Sequence, residues 1–256
     1  MSANEKQSKA NRPEQAQGDA MKQPPTGDWT DVERRILEAR KKAGEVIALD
    51  PDTVRRRIRR IAYHEAGHVA ARMFTGLESS HVVSVSIIPE GATDGRERSE
   101  RNITEFTLLN TSTSDENSPW RRCAARCLLL ELLAGMGAEM RIAALDERKG
   151  MLDEDATWME DDTGGTDRLR IHRIAETVAR PRMPARRILA LAQKWTDEML
   201  ALPEVWCTVG RLVATLLERG EIDDHEEIMK TCREIRGLSF RLPKWKRRLH
   251  PVERLL

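Results

Sequence analysis

Apolar positions along the 256-residue chain recur mostly three and four apart, the spacing of a helix with one buried face. Val32, Ile36, Ala39, Ala43 and Val46 share one such face, and Thr30 with Glu33 supplies a Thr-x-x-Glu capping pair ahead of them. An N-terminal helix is therefore expected within residues 28–50. Asp50-Pro51 marks a second start, with Asp as N-cap and Pro at the first helical position. That helix is expected to run to about Phe74, with Gly76 just past its end. The stretch from His81 to Pro89 is β-branched, stops at proline and reads as a strand. Glu90 to Asn102 is polar and reads as a loop, and Asn102 to Leu109 as a second short strand. Pro119 to about Leu145 is a long apolar helix, followed by an acidic loop from Met151 to Thr166. Helical patterns then recur at about 167–180, 184–201, 203–219 and 223–236, with no internal repeat. The expected fold class is mainly α with a small β-sheet.

Composition narrows the picture at the two ends. Residues 1–27 are polar and rich in Gln, Lys, Asn and Pro, too poor in apolar area to offset ordering entropy, so a disordered tail is expected there. Residues 237–256 are basic and broken by proline. Hydrophobic residues make up 39% and charged residues 33%, and six Trp, three Phe and one Tyr leave Leu, Ile, Val, Ala and Met to fill the core. A formal charge of +1 gives no global reason to expect nucleic acid or an anionic membrane as partner. No apolar run reaches the roughly 18 residues of a membrane span, and the first residues lack the apolar region of a secretory signal. A cytoplasmic location is expected, with Cys123, Cys127, Cys207 and Cys232 as reduced thiols, none of them in a CxxC pair. The basic run Arg55 to Arg60 reads as a solvated helix face with snorkelling stems rather than a docking site. The basic and aromatic mixture around Lys244, Trp245 and Lys246 reads as a solvated tail or a strap.

The candidate chemistry lies within the second helix, in His64-Glu65-Ala66-Gly67-His68. Two histidines four apart project from one helix face, so their imidazoles can converge on one Zn2+. Glu65, next to His64, can reach a water held in an open metal position without itself being a ligand, and can take its proton as it attacks a carbonyl. The alternative is a surface helix on which these three residues coincide by accident. The surrounding window counts against that, because Ile58, Ile61, Ala62, Val69 and Met73 form an apolar stripe, and unpaired polar groups are costly beside a core. A catalytic zinc normally takes three protein ligands, and spacing alone leaves the third open. His172 and Glu139 are rivals for that place, and Glu139 could instead orient a metal-bound histidine.

The same segment, IAYHEAGH, resembles the peptidase domain of the FtsH family of ATP-dependent zinc proteases. The resemblance extends to SVSIIPEG (Ser84 to Gly91), to LLLELLAGMGAEMRI (Leu128 to Ile142), to GGTDRLRIHRIAETV (Gly164 to Val178) and to LLERGEIDDHEEI (Leu216 to Ile228), in order over about residues 55–235. It implies an FtsH-like zinc peptidase domain, placed at residues 51–236, with His64, His68 and Asp167 as zinc ligands and Glu65 as catalytic base. Asp167, following Gly164-Gly165-Thr166, also fits an ordinary helix N-cap. The implied substrate is an unfolded protein or a peptide. The chain carries no G-x-x-x-x-G-K-[ST] phosphate loop, so on its own it cannot thread substrates as that family does, and a homo-oligomer or a separate ATPase is the expected partner. The rival reading is a non-proteolytic zinc-binding adaptor of the same fold that docks such a partner.

Overall fold

The computed structural model describes residues 29–43, 50–76, 82–89, 96–99, 108–109, 119–148 and 165–241. The first helix, α1 (Asp31–Lys42), starts where the capping pair places it. The Glu33 backbone N–H donates to Thr30 Oγ1 at 3.2 Å, and the Thr30 N–H donates to Glu33 Oε2 at 2.7 Å. Val32, Ile36 and Leu37 from α1 enter the common core, whereas Ala43, expected on the buried face, is exposed. The helix ends at Lys42, and Ala43 is its C-cap, the last residue to keep the helical hydrogen bond, to the Ala39 carbonyl.

The second helix, α2 (Pro51–Thr75), is the axis of the fold. Asp50 caps it by accepting from the N–H groups of Asp52 and Thr53, and Gly76 ends it in the left-handed region at φ 71°, donating to the Arg72 carbonyl. From Ile61 to Thr75 every position except Tyr63 is buried, so this stretch is enclosed on all sides rather than on one face. Its main neighbour is α3 (Pro119–Arg148), and the two approach closely because their contact positions are small. A Cβ on Gly67 would lie 2.4 Å from the Ala134 carbonyl oxygen, which makes glycine obligatory at this crossing.

Three more helices complete the body: α4 (Gly165–Thr177), α5 (Ala185–Leu200) and α6 (Pro203–Arg219). α4 and α5 pack on α3, and α6 packs on α2. The helix expected over 223–236 is shorter, α7 (His225–Thr231), and a further short helix, α8 (Leu238–Arg241), follows within the stretch expected as basic tail. The chain turns between them, and the Gly237 N–H returns to the Met73 carbonyl at 2.7 Å.

A three-stranded antiparallel sheet lies at one end, in the order β2-β1-β3. β1 (Val82–Ser86) is central, β3 is only Glu221–Ile222, and β2 (Arg96–Ser99) falls inside the segment expected to be a loop. The pairing of β1 with β2 shifts register between Val82 and Ser84. Strict alternation would put Val82 and Val85 on opposite faces, and the irregularity turns both into the core with Ile87. Gly220, at φ 85°, ends α6, and its carbonyl accepts from the Ile87 N–H at 2.9 Å, tying α6 to the strand. Of the second strand expected at Asn102–Leu109, only Leu108 and Leu109 are described, and they are helical. The N-terminal tail, the acidic segment before Gly165 and most of the basic C-terminus lie outside the described residues. No single helix among the described residues is long and apolar enough to cross a membrane.

Candidate metal centre

His64, Glu65 and His68 sit on the enclosed half of α2, 2%, 7% and 8% exposed, which excludes the accidental surface helix. The two imidazole rings stand edge to face with centroids 4.6 Å apart. Asp167, in the first turn of α4, meets them: its Oδ2 is 3.1 Å from His68 Nε2 and 3.5 Å from His64 Nε2. One ligand atom from each of these three residues lies within 4.8 Å of the others, so the group is able to hold a metal ion. Asp167 is two residues inside the helix rather than at its cap, and its other oxygen accepts from Arg170 at 3.2 Å.

The chemistry of the donors tests whether a cation fits. His68 Nδ1 is 2.9 Å from the Glu131 carbonyl, which can only accept, so Nδ1 carries the proton. His64 Nδ1 donates in the same way to Glu139 Oε2 at 3.0 Å. With both Nδ1 protons committed, two neutral imidazoles present their Nε2 lone pairs to a carboxylate. Three acceptors facing one point repel unless something positive lies between them. A metal ion satisfies them, and the surrounding Glu65, Glu139 and Asp167 carboxylates suit a dication.

Without a metal, protons must take that place. Burial opposes charge on His64 most strongly, but the Asp167 and Glu139 hydrogen bonds outweigh it and raise its pKa to about 10. His68 is also raised: burial opposes its charge most strongly, but the hydrogen bond and charge of Asp167 outweigh it. Burial acts to raise Asp167, yet the two imidazoles hold it well below the usual carboxylate range. Glu65 is raised, with burial the chief cause and the charges of His68 and His64 opposing it.

The rivals for third ligand separate cleanly. Glu139 takes the orienting position on His64, and His172 is exposed on α4, away from the cluster. Two supports of the site carry no motif in the sequence. Gly135 on α3 faces the His68 ring, where a Cβ would lie 2.5 Å from its Cε1 and Nε2. Arg72, one turn after His68, forms a buried ion pair with Glu131 through two contacts, one from Nε at 3.1 Å. Arg72 thereby anchors the residue whose carbonyl fixes His68. The available signals were a lone arginine and a lone glutamate in apolar helices, and a glycine inside a helical run.

The remaining singled-out residues take ordinary places. Arg55 pairs with Glu33 and Arg59 with Asp146, so part of the arginine run ties α2 to its neighbours. His225 donates from Nδ1 to the Val82 carbonyl at 2.6 Å. Cys127 and Cys232 are buried, and burial pushes the Cys232 thiol up to about 12. Neither a protein-family model nor a curated protein sequence matches this chain.

Proposed function

We propose that the chain is a zinc metallopeptidase that hydrolyses peptide bonds in unfolded proteins or peptides. The observation that carries this reading is the convergence of two imidazole Nε2 atoms and one carboxylate oxygen, with both Nδ1 atoms already spent on protein acceptors. Nitrogen and oxygen donors numbering three, and leaving a fourth position open, are the ligand set a catalytic zinc takes. When bound, zinc would supply Lewis acidity, polarising a water molecule and the scissile carbonyl.

The chain's own residues supply the rest. His64, His68 and Asp167 would hold the ion, while Glu139 and the Glu131 carbonyl keep the rings aimed at it. Glu65 is adjacent in sequence to one ligand and is not part of the donor group, so its carboxylate is left to move protons. It takes the proton of the attacking water and returns it to the departing amine. Burial raises its proton affinity, which brings a carboxylate closer to the range useful in a general base. The unfolded-chain substrate class rests on the resemblance to FtsH-type peptidase domains.

The test is digestion of a reduced, unfolded protein by purified chain, with metal content measured alongside. Wild type is expected to carry about one zinc per chain and to cleave without ATP, and Glu65→Gln to keep the zinc and lose cleavage, because an amide accepts no proton. Absence of zinc after gentle purification and of uptake on titration would remove the basis of the proposal. A zinc-loaded wild type that cleaves nothing would point instead to the adaptor.

A further inference from the structure

An open cleft lies away from the metal centre. Its walls come from the N-terminal half of α3, from α5 and from the turn after α4, and none of the metal-centre residues lines it. That turn is fixed by a reciprocal pair of backbone hydrogen bonds between Arg180 and Met183 at 3.0 and 2.9 Å. Leu129, Ile188 and Trp195 give the cleft an apolar floor, and Arg122, Arg126 and Arg180 surround it with guanidinium groups. No acidic side chain is among its lining residues.

Four donor atoms on side chains lining this cleft lack acceptors among the described residues. Arg126 Nε and Nη1, Arg122 Nε and Trp195 Nε1 are all buried and make no hydrogen bond among the described residues. Folded proteins rarely leave buried donors unmatched, and four such atoms belong to side chains lining this cleft, alongside others elsewhere in the molecule. The Arg126 guanidinium is held over the Trp195 ring, 5.8 Å from its centroid, so its position is set by packing. What is missing is an acceptor of negative charge, and the geometry of a guanidinium matches a carboxylate best.

We propose that this cleft binds a small organic anion, with a carboxylate held by Arg122 and Arg126 and a short apolar body lying on Leu129, Ile188 and Trp195. An inorganic anion would leave the apolar floor uncovered, and an uncharged apolar molecule would leave the donors unmatched. The inference stands independently of the metallopeptidase reading, since no residue is shared.

Calorimetric titration with octanoate tests it, with octanol and inorganic phosphate as comparison probes. Octanoate is expected to bind one per chain, at least tenfold more tightly than either comparison probe. Arg126→Gln and Arg122→Gln are each expected to weaken octanoate about tenfold or more, the cost of losing one charged hydrogen-bond partner. Arg211→Gln, on α6 and paired with Glu234, is expected to leave it unchanged. The titration is repeated after chelation, because a carboxylate can also bind a metal. Binding that disappears with chelator would overturn the assignment to the cleft. So would octanol or phosphate binding as tightly as octanoate, no octanoate binding at all, or unchanged affinity in either arginine variant with a native circular dichroism spectrum.

Discussion

Replacing Gly135 by alanine sets two effects of known sign against each other. A methyl group at this position on α3 would lie 2.5 Å from Cε1 and Nε2 of His68. Ordinary carbon contacts are about 3.5–4.0 Å, so ring and backbone must separate by about 1 Å. The ring has little freedom to yield, because its Nδ1–H is held by the Glu131 carbonyl and its Nε2 faces Asp167. Overpacking of this kind costs about 1–3 kcal/mol. The same substitution gains about 1 kcal/mol of helix propensity, because glycine is a poor residue within a helix. The expected net effect on the metal-free protein is a loss of up to about 2 kcal/mol.

Metal affinity is expected to respond more clearly, because a shifted Nε2 no longer points at the shared position. Loss of an orienting contact typically weakens a metal site about 10–100-fold, and the same range is expected here. The assays are competition with a chromogenic chelator and urea unfolding of the metal-free protein. Gly210→Ala is the matched control: it lies within α6, and nothing approaches within 4 Å of its Cβ position. That variant is expected to gain about 1 kcal/mol and leave metal affinity alone. A Gly135→Ala protein that binds metal like wild type would show that the His68 ring does not carry the site.

Asp167→Ala is expected to lower metal affinity by orders of magnitude in the same competition assay, while His172→Ala, at an exposed position on the same helix, changes nothing. Arg72→Met is expected to cost about 3–5 kcal/mol in chemical unfolding, since it leaves the Glu131 carboxylate buried without its partner. Adding Glu131→Leu should restore most of that loss, and a double variant no more stable than Arg72→Met would contradict the assignment. In the metal-free protein His64 has its pKa raised from 6.5 to about 10, so the stability it contributes is complete below pH 6.5 and is lost as pH rises through about 10. Thermal unfolding of chelated protein from pH 6.5 to 10 should therefore show falling stability, and His64→Gln should flatten the slope.

The parts of the fold that the sequence made legible are those fixed by short-range chemistry. Thr30 with Glu33, Asp50 with Pro51, and Gly76 each stop or start a helix through groups within a few residues, and each does so here. The histidine pair was legible for the same reason, since residues four apart on a helix must share a face. β2 was not, because Arg96-Glu97-Arg98-Ser99 has no apolar alternation. It is an edge strand, where charge is tolerated and deters pairing with other chains, so its composition reads as a loop. The paired inward valines of β1 depend on a register irregularity that appears only when a partner strand is present.

The third donor marks where local reasoning stops. Asp167, Glu139 and His172 all carry suitable atoms, and nothing within a few residues of each distinguishes them. The distinction comes from packing: α4 lies on α3, with Asp167 in its first turn against the rings. His172, five residues on, is about 140° round the same helix and faces out. Glu139 stands on α3, which also carries Gly135 and Glu131, so it approaches His64 from the Nδ1 side. α3 thus supplies both Nδ1 acceptors and α4 the group opposite Nε2. Two helices address opposite edges of the same two rings, and that division of labour makes Glu139 an orienting residue and Asp167 the candidate ligand.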